Sequence, residues 1–523
     1  MLCEYMADFN LKMIKIFFLV VIAMLILAMT SGMNILRSDN FFNWQKVKME
    51  ANFLKYKRAL AAQGENSGGE ASRGGLKYTK SVPVLLYHGI ITDRDWKEDG
   101  TNITLDIFEG QMLALKKSGY HTINLSEFSE YMQGKRDLPE KSILITFDDG
   151  RKDSYYQADP IFRALGFNAV MFAIVGRSLG EKSEGDNFYL GRQELKDMLK
   201  SGRWEVQSHG DFDHNWMPID EANDQGHFMS NLLWLPKENR VEKPEEAKKR
   251  ILADLENSKK KIEDELGQKV IAFAYPFNDY GQSGKNFPEA QQFLAENISR
   301  IYPLTFFQEE IREPLANSPD PQRYMIKRIN VDSGIKTEEL FDILDDNREK
   351  ALPWQDTFWE DHGWRVKWGE TKIWGDLTIS EKKPLDGNMT ILLGSSRWEN
   401  YFFKSRIYLT DGNSISQVAR YQDDKNYARC NFDAGEVSIS QKISGQDSVL
   451  ASKPGNFSGI SDSDREIGAE LKGNSISCYL DGQKEIEGNL DSSLSFGGVG
   501  FYLWDDLPQN AAARIKKMDV API

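Results

Sequence analysis

Two short segments of the chain carry the residue types that metal-assisted hydrolysis needs. The first is an apolar run at 143–147 that leads directly to two adjacent carboxylates, Asp148 and Asp149. The second is a strand-like run that leads to His209 and His214, two of the six histidines in the chain. Three of these side chains can bind a divalent metal while one carboxylate stays free. The spacing therefore predicts a metal site with a spare carboxylate beside it.

Both segments have the pattern of a buried strand that ends at its polar residues. Residues 143–145 form a continuous apolar stretch, which is typical of a strand buried on both faces. Because successive strand residues point to opposite faces, Asp148 and Asp149 are expected to project in different directions. An ordinary Asp-Asp-Gly turn is the alternative interpretation. Asp211 and Asp213, between the two histidines, are either further metal ligands or surface residues of a loop.

The surrounding sequence alternates between strand and helix patterns, which indicates a parallel sheet with crossover helices. Strands are predicted near Val82, Thr122, Ile143, Ala169, Trp204, Val270, Ile301 and Ile326. Helices are predicted at 105–117, 126–133, 152–165, 191–200, 245–266 and 337–346. The candidate metal ligands then fall at the C-terminal ends of strands, which is where barrel enzymes have their active sites.

A long insertion, residues 215–244, follows the second histidine. Loops of this length inside a compact domain are usually functional lids or disordered segments. The aromatic residues of the insertion argue against disorder, and pyranose rings stack on aromatic faces. Trp216 and Trp234 are therefore predicted to bind substrate at the rim of a groove. A satellite hydrophobic core is the alternative.

The run from Thr146 to Gly150 resembles the first motif of the polysaccharide deacetylases, the NodB-homology group of carbohydrate esterase family four. His209 and His214 resemble the second motif. Their spacing is one residue longer than is usual in the family, and in this it is similar to the branch that deacetylates poly-β-1,6-N-acetylglucosamine. The resemblance covers roughly residues 82–344. It implies an α/β fold with a distorted, incomplete (β/α) barrel.

The resemblance also implies a role for each residue. Asp148 would be the general base. Asp149, His209 and His214 would hold a divalent metal, with zinc as the first expectation and cobalt, nickel or iron as alternatives. His88 ends a predicted strand and would be the general acid, because the biofilm-polysaccharide branch has its acid histidine early in the chain. A buried structural histidine is the alternative.

A third motif, at residues 273–281, departs from the family pattern. Ala274 stands where the family usually has an arginine that orients the base, and Phe277 stands where it has a tyrosine. The backbone amide of Phe277 is expected to bind the oxyanion, since this role needs no particular side chain. Tyr275 is a candidate substrate-binding residue. Arg328 is the candidate substitute for the missing arginine.

These implications predict a metal-dependent hydrolase that removes N-acetyl groups from an extracytoplasmic polysaccharide containing N-acetylglucosamine. The alternative is a catalytically weak or inactive membrane-anchored protein that only binds glycan, and the alanine at 274 favours it. The expected partners are the N-acetylated polysaccharide and a membrane. The formal net charge of -14 disfavours nucleic acid as a partner. No protein partner is indicated.

The N-terminal segment has the pattern of a membrane anchor. Residues 16–29 are an unbroken apolar run, and Lys12 and Lys15 precede it. Positive charge before an apolar run leaves the N-terminus inside and sends the rest of the chain across the membrane. No small-residue cleavage site follows, so an uncleaved, single-pass signal anchor in the cell membrane is predicted.

The predicted intervals are 1–37 for the anchor, 38–80 for a polar stalk with a helix near 44–62, 81–350 for the barrel, 351–374 for a tryptophan-rich junction and 375–523 for a β-sandwich.

The C-terminal segment shows short alternating strands with regular turn signals, which indicate an all-β sandwich. The runs 419–427 and 478–482 resemble concanavalin A-like or laminin G-like jelly rolls, which often bind glycans. A purely structural sandwich is the alternative. Cys430 and Cys478 fall in predicted strands of the sandwich, where they form either one disulfide or two buried core residues.

Overall fold

The computed structural model describes residues 44–62, 78–181, 183, 186–309, 314–322, 324–455, 457, 464–504 and 511–523. The predicted membrane anchor and the parts of the predicted stalk at 38–43 and 63–77 lie outside these residues. Within the described ranges, no helix is both long enough and apolar enough to span a membrane.

The N-terminal half of the described chain is an α/β domain. Its helices are α1 (Trp44–Ala62), α2 (Leu105–Lys117), α3 (Leu125–Met132), α4 (Lys152–Leu165), α5 (Val175–Ser178), α6 (Arg192–Lys200), α7 (Pro244–Leu266), α8 (Ala290–Ile301) and α9 (Thr337–Asp346). Its strands are β1 (Val84–Tyr87), β2 (Ile90–Ile91), β3 (Ile103–Thr104), β4 (His121–Thr122), β5 (Ser142–Phe147), β6 (Ala169–Ala173), β7 (Trp204–Ser208), β8 (Trp216–Pro218), β9 (Gln225–His227), β10 (Trp234–Leu235), β11 (Arg240–Val241), β12 (Ala272–Ala274), β13 (Leu304–Gln308) and β14 (Met325–Asn330).

Seven parallel strands close into a barrel in the order β1-β14-β13-β12-β7-β6-β5, because β1 pairs with both β14 and β5. Strand β4 pairs with β5 outside this ring. Strands β7 and β12 are joined by a single residue pair, Ser208 with Phe273. The predicted α/β barrel is confirmed, and it is most irregular at this seam, beside His209.

Alternate residues of β5 face two different cores, as strand geometry requires. Leu144 packs in the same cluster as Phe306 and Ile326 inside the barrel. Ile145 and Phe147 belong to the cluster that packs against the surrounding helices. Thr146 and Asp148 lie two and four positions further along and share the inward direction of Leu144. The Asp148 carboxylate therefore points into the mouth of the barrel.

Most of the predicted elements are present close to their predicted bounds. Among the helices, the short α5 and the longer α8 were not predicted. The strand predicted near Ile301 begins at Leu304 instead, because Ile301 is the last residue of α8. The insertion after the second histidine forms two short antiparallel hairpins, β8 with β9 and β10 with β11.

Helix α1, in the predicted stalk, packs against α4 of the barrel. Tyr56 is buried there, and its hydroxyl donates a hydrogen bond to Glu109 at 3.0 Å. The guanidinium of Arg163 lies 3.8 Å from the centre of the Phe53 ring and pairs with Glu50 at 2.6 Å. These contacts dock the helix on the barrel.

The C-terminal domain is the predicted all-β sandwich. Its strands are β15 (Trp354–Asp356), β16 (Trp364–Trp368), β17 (Glu370–Ile373), β18 (Leu377–Ser380), β19 (Asn388–Leu392), β20 (Tyr401–Asp411), β21 (Ser414–Asp423), β22 (Asn426–Asp433), β23 (Glu436–Ile443), β24 (Gln446–Pro454), β25 (Arg465–Lys472), β26 (Ser475–Leu480), β27 (Gln483–Asn489), β28 (Gly498–Leu503) and β29 (Ala512–Pro522). One sheet runs β17-β18-β29-β20-β25-β26-β27 with β15 on β29, and the other runs β16-β19-β28-β21-β22-β23-β24. Strands β15 to β17 come from the interval predicted as a junction.

A buried lysine ties the two domains together. The Lys350 ammonium donates to the carbonyl oxygens of Asp346, at 3.1 Å, and of Leu393, at 2.7 Å. The Trp398 indole donates to the Lys350 carbonyl at 2.7 Å. Burial lowers the pKa of Lys350 to about 8, which shows how far this contact excludes water.

The two cysteines of the sandwich form a disulfide, which resolves the alternatives that the sequence left open. Cys430 lies on β22 and Cys478 on β26, so the bond joins the two sheets. Both residues are fully buried. A disulfide of this kind persists in oxidising compartments.

Replacing both Cys430 and Cys478 by alanine is expected to lower the free energy of unfolding of the sandwich by about 4 kcal/mol, since the bond closes a loop with a sequence separation of 48. Urea unfolding followed by tryptophan fluorescence measures this loss. Reduced wild-type protein is the control and should unfold near the midpoint of the double variant. Equal midpoints for the variant and the oxidised wild type would contradict the disulfide.

Candidate active site

Three predicted metal ligands converge at the mouth of the barrel. Asp149 Oδ1 lies 3.3 Å from His214 Nε2 and 3.6 Å from His209 Nε2. The donor atoms of the three side chains all lie within 4.8 Å of one another. Ligands that surround a zinc ion tetrahedrally at its usual bond lengths are about 3.3 Å apart. The donor set therefore fits a small divalent metal.

A backbone carbonyl sets the tautomer of His209. The ring Nδ1 lies 2.9 Å from the carbonyl oxygen of Ala274, which can only accept a hydrogen bond. Nδ1 therefore carries the hydrogen, and the lone pair of Nε2 faces Asp149. Burial lowers the pKa of His209 to about 4, so the ring is neutral at pH 7. Ala274, which lacks the family's arginine side chain, thus orients a candidate metal ligand through its main chain.

Helix α7 anchors the loop between the two histidines. The Asp254 carboxylate accepts hydrogen bonds from the amides of Asp211, at 3.1 Å, and Phe212, at 2.7 Å. Lys261, further along the same helix, pairs with the Asp211 carboxylate at 2.7 Å. The Asp211 side chain is therefore engaged by α7 and stands outside the metal cluster.

Asp213, the other candidate ligand of this loop, is buried and also stands outside the cluster. Its carboxylate fills the space beside Gly210, where a Cβ atom would lie 1.4 Å from Asp213 Oδ1. Gly210 also has a φ of 79°, so only glycine fits here. Burial, and then the charges of Asp254 and Asp211, raise the pKa of Asp213 well above its ordinary value.

A buried arginine holds the spare carboxylate. Arg328 Nη1 donates to Asp148 Oδ1 at 2.7 Å, and Nη2 donates to Oδ2 at 2.8 Å. Both side chains are almost completely excluded from solvent. Burial alone would raise the pKa of Asp148, but the charge and hydrogen bonds of Arg328 outweigh it and lower the pKa below its ordinary value. Asp148 is thus an ionised carboxylate in a fixed orientation, and Arg328 occupies the role left vacant at Ala274.

The two adjacent aspartates diverge for a reason that differs from the prediction. Strand β5 ends at Phe147, so strand alternation does not extend to Asp149. Asp149 and Gly150 instead adopt left-handed conformations, with φ of 74° and 72°. Such a conformation is uncommon for a residue with a side chain and occurs where function requires it. The left-handed turn swings Asp149 towards the histidines and leaves Asp148 inside the barrel.

His88 lies at the same cavity as both aspartates and both histidines, a cavity of about 320 Å³. Its Nδ1 atom is buried and has no hydrogen-bond partner among the described residues. A buried polar atom without a partner is unusual in a purely structural histidine. The placement therefore agrees with a role at the site.

Two residues that the sequence analysis missed fix the turn after His88. The Asn102 side-chain oxygen accepts hydrogen bonds from the Gly89 amide, at 3.0 Å, and from Arg151 Nη1, at 2.8 Å. Arg151 is held in turn by Asp153. The one sequence signal for this network is that Arg151 directly follows the Asp-Asp-Gly motif.

An aromatic cluster forms one wall of the cavity. Phe277 adopts a left-handed backbone conformation with φ of 57°. The centre of its ring lies 4.4 Å from that of His214 and 4.8 Å from that of His227. The Trp216 ring lies 4.3 Å from that of His227 and is 54% exposed. His227, which the sequence analysis did not assign, pairs through Nδ1 with the buried Asp279 at 2.9 Å. The cluster joins His214, a candidate metal ligand, to the rim.

The remaining predicted residues differ in position. Tyr275 lines the cavity but is buried, and burial raises the pKa of its hydroxyl. Neither Trp216 nor Trp234 is among the residues that line the cavity, and Trp234 pairs with Val241 in the second hairpin. Of the two tryptophans predicted to contact substrate, the structure brings only Trp216 next to the cavity wall.

The polysaccharide deacetylase family model matches residues 135–291. These residues form a polysaccharide deacetylase domain. The matched segment contains both aspartates of the site, His209 and His214, while His88 and Arg328 lie outside it. The predicted family and enzyme class are confirmed for this domain.

The chain is similar to two curated relatives and to one solved structure. The Bacillus subtilis (strain 168) protein YxkH, classified by inference as a polysaccharide deacetylase, is 26% identical over 254 residues, which are 49% of this chain and 72% of the relative. The poly-beta-1,6-N-acetyl-D-glucosamine N-deacetylase of Staphylococcus aureus (strain MRSA252) is 29% identical over 170 residues, 32% of this chain and 51% of the relative. The chain thus spans about half of the staphylococcal relative. A de-N-acetylase from Aggregatibacter actinomycetemcomitans is 20% identical with a TM-score of 0.42, and the match covers 50% of this chain and 99% of that one.

Proposed function

We propose that this protein is a metal-dependent N-deacetylase of a polysaccharide that contains N-acetylglucosamine. The observation that carries the proposal is the buried, bidentate Arg328–Asp148 pair beside the cluster of Asp149, His209 and His214. Burying an ion pair costs free energy. A protein that only binds glycan gains nothing from an ionised carboxylate held next to three metal-binding groups, whereas a hydrolase needs a base there.

Each group of the site has one task in this reaction. A divalent metal, held by Asp149 and the two histidines, supplies Lewis-acid polarisation and lowers the pKa of water. Zinc is the proposed native ion. Asp148 accepts the proton of the attacking water, because its carboxylate is ionised and Arg328 prevents it from turning away.

The leaving amine nitrogen must gain a proton when the amide bond breaks. His88 is the proposed donor, because it lines the same cavity and its ring has a buried nitrogen that no described residue uses. The Asn102 contact with Gly89 fixes the backbone next to it. The backbone amide of Phe277 remains the proposed oxyanion donor, since Phe277 also lines the cavity.

The proposed substrate is a poly-β-1,6-linked N-acetylglucosamine polymer outside the cytoplasmic membrane. The name of the staphylococcal relative supports this linkage. The apolar run at 16–29, with its preceding lysines, supports a single-pass membrane anchor, and the Cys430–Cys478 disulfide supports an oxidising compartment.

Acetate release from N-acetylglucosamine oligomers by the purified protein tests the proposal. Release is expected from β-1,6-linked oligomers, with less from β-1,4-linked chitin oligomers, and a chelator should abolish it. Zinc added back after chelation should restore it, with cobalt, nickel and iron(II) compared at equal concentration. A metal-loaded protein that releases no acetate from either oligomer or from peptidoglycan would favour the glycan-binding alternative.

Replacing Trp216 by alanine is expected to raise KM for the oligomers about tenfold with little change in kcat, because a stacking ring lost from the rim weakens binding in the ground and transition states alike. Trp234→Ala is the matched control: neither tryptophan lines the cavity itself, but the Trp216 ring packs against Phe277, which does line it. Steady-state kinetics of both variants measure the difference. Equal KM values for the two variants would contradict the assignment of Trp216 to the rim.

A further inference from the structure

A groove of about 600 Å³ crosses one sheet of the sandwich and is larger than the active-site cavity. We call it the sandwich groove. It lies on the sheet that contains β16, β28, β22 and β23. The residues that define it here are Trp368, Tyr427, Arg429, Asn431, Tyr502 and Trp504.

Strand alternation places these side chains on the outer face of the sheet. In β22, Ala428, Cys430 and Phe432 belong to the core between the two sheets. The alternate residues Arg429 and Asn431 therefore point away from that core. The same relation holds in β28, where Tyr502 lies between two residues of the core. The groove is thus a face of the sheet and not a gap in its packing.

Flat groups dominate the groove. The Arg429 guanidinium lies 4.6 Å from the centre of the Tyr502 ring and 5.6 Å from that of Tyr427. The Trp368 and Tyr502 rings meet edge to face at 6.2 Å. Trp504, at the end of β28, is 43% exposed. Tyr427 is buried beneath these groups, whereas the partly exposed rings of Trp368 and Tyr502 and the exposed ring of Trp504 offer apolar faces on which a pyranose ring can stack.

The charged groups that line the groove balance in number, because Arg429 and Lys442 are cationic and Asp433 and Asp447 are anionic. Arg429 donates to Asp447 at 2.9 Å and to the Ser440 hydroxyl at 3.2 Å. Lys442 lies 3.8 Å from the other oxygen of Asp447. The Asn431 side chain bonds to the hydroxyls of neighbouring serines on both sides. Asp447 would repel an anionic ligand. An uncharged ligand could instead hydrogen-bond through its hydroxyl and amide groups to polar side chains that are already held in place.

The domain that carries the groove is held to the barrel domain by the buried Lys350 contacts.

We propose that the sandwich groove is a second carbohydrate site, which binds an uncharged, still N-acetylated stretch of the polymer whose acetyl groups the barrel removes. The identity of the polymer rests on the proposed function, while the groove's preference for an uncharged glycan rests on its own residues. Binding one stretch of a chain at the groove raises the effective concentration of the next stretch at the active site. The groove would release stretches whose amines have been freed and have become cationic.

The test uses the full chain carrying Asp148→Asn, so that the polymer stays intact while its affinity is measured by isothermal titration calorimetry. Adding Trp504→Ala, or separately Trp368→Ala, is expected to weaken binding of N-acetylated β-1,6-linked polymer about tenfold. Trp374→Ala is the matched control, because Trp374 is 88% exposed on the same domain and does not line the groove. An unchanged affinity in both groove variants, or an equal loss in the control, would overturn the proposal.

Three further measurements separate the possible failures. Fully deacetylated polymer should bind the Asp148→Asn protein more weakly than N-acetylated polymer, and equal or tighter binding would overturn the preference for an uncharged glycan. In protein with intact Asp148, Trp504→Ala should raise KM for long polymer and leave kcat/KM for a disaccharide unchanged. If wild-type protein released no acetate but bound polymer through Trp504, the proposed function would fail and the sandwich groove would stand. Circular dichroism and an intact disulfide confirm that each variant is folded.

Discussion

Replacing Asp149 by alanine should abolish metal binding, whereas replacing Asp148 by asparagine should leave the metal bound and reduce kcat by about 10²- to 10⁴-fold. The reason is the division of the two carboxylates in space. Asp149 Oδ1 faces both histidine Nε2 atoms, while both oxygens of Asp148 accept hydrogen bonds from Arg328. Removal of Asp149 takes away a ligand, and removal of the Asp148 charge takes away the base.

Metal content by mass spectrometry and acetate release, measured on the same preparations, separate the two effects. Asp211→Asn is the matched control, because Asp211 is an acidic residue of the neighbouring loop that pairs with Lys261 outside the cluster. It should retain both metal and turnover. Equal loss of metal in the Asp148 and Asp149 variants would refute the division of roles.

Replacing Arg328 by methionine should lower the free energy of unfolding by about 3–5 kcal/mol and also suppress turnover. The substitution leaves the Asp148 carboxylate buried without its partner, and desolvation then raises its pKa. The double variant Arg328→Met/Asp148→Asn removes both charges. It should recover much of the lost stability without recovering turnover, which distinguishes charge pairing from simple loss of packing.

The stability deficit of Arg328→Met should depend on pH in a defined direction. In the wild type the pKa of Asp148 lies below its ordinary value of 3.8, so the pair stabilises the folded state above that pH and loses its effect as the pH falls through the folded-state pKa. In the variant, a raised pKa penalises folding increasingly as the pH rises above about 4. Urea unfolding should therefore show the full deficit at pH 7 and a smaller one near pH 4. A deficit independent of pH would argue that Arg328 acts only by filling space.

The candidate metal ligands could be predicted from the sequence because each of them follows a predicted strand. A strand pattern depends only on residues that are close together in the chain. The pattern at 143–147 predicted the buried strand, and the C-terminal ends of parallel strands share one rim of a barrel. The same reasoning was less reliable within a turn. Asp149 diverges from Asp148 through a left-handed backbone conformation and not through strand alternation, and side-chain pattern does not determine φ at a single residue.

Local pattern also failed to rank the two rim tryptophans. Trp216 and Trp234 each lie in a short hairpin of the same insertion, with similar composition around them. The packing of the first hairpin against Phe277 brings Trp216 to the cavity wall. This contact depends on β12 and on the turn that follows it, so it could not be read from the insertion.

The sequence by itself determined the fold class, the family of the barrel and the set of three candidate metal ligands, because strand periodicity and short motifs depend on neighbouring residues. The tertiary structure alone decided that Arg328 orients Asp148, a partner 180 residues away. It also decided that Cys430 bonds to Cys478 and that residues of β16, β22 and β28 together line the sandwich groove. These juxtapositions follow from the order in which the strands close the barrel and stack the sheets. Strand order is a property of the whole chain, so no local pattern encodes it.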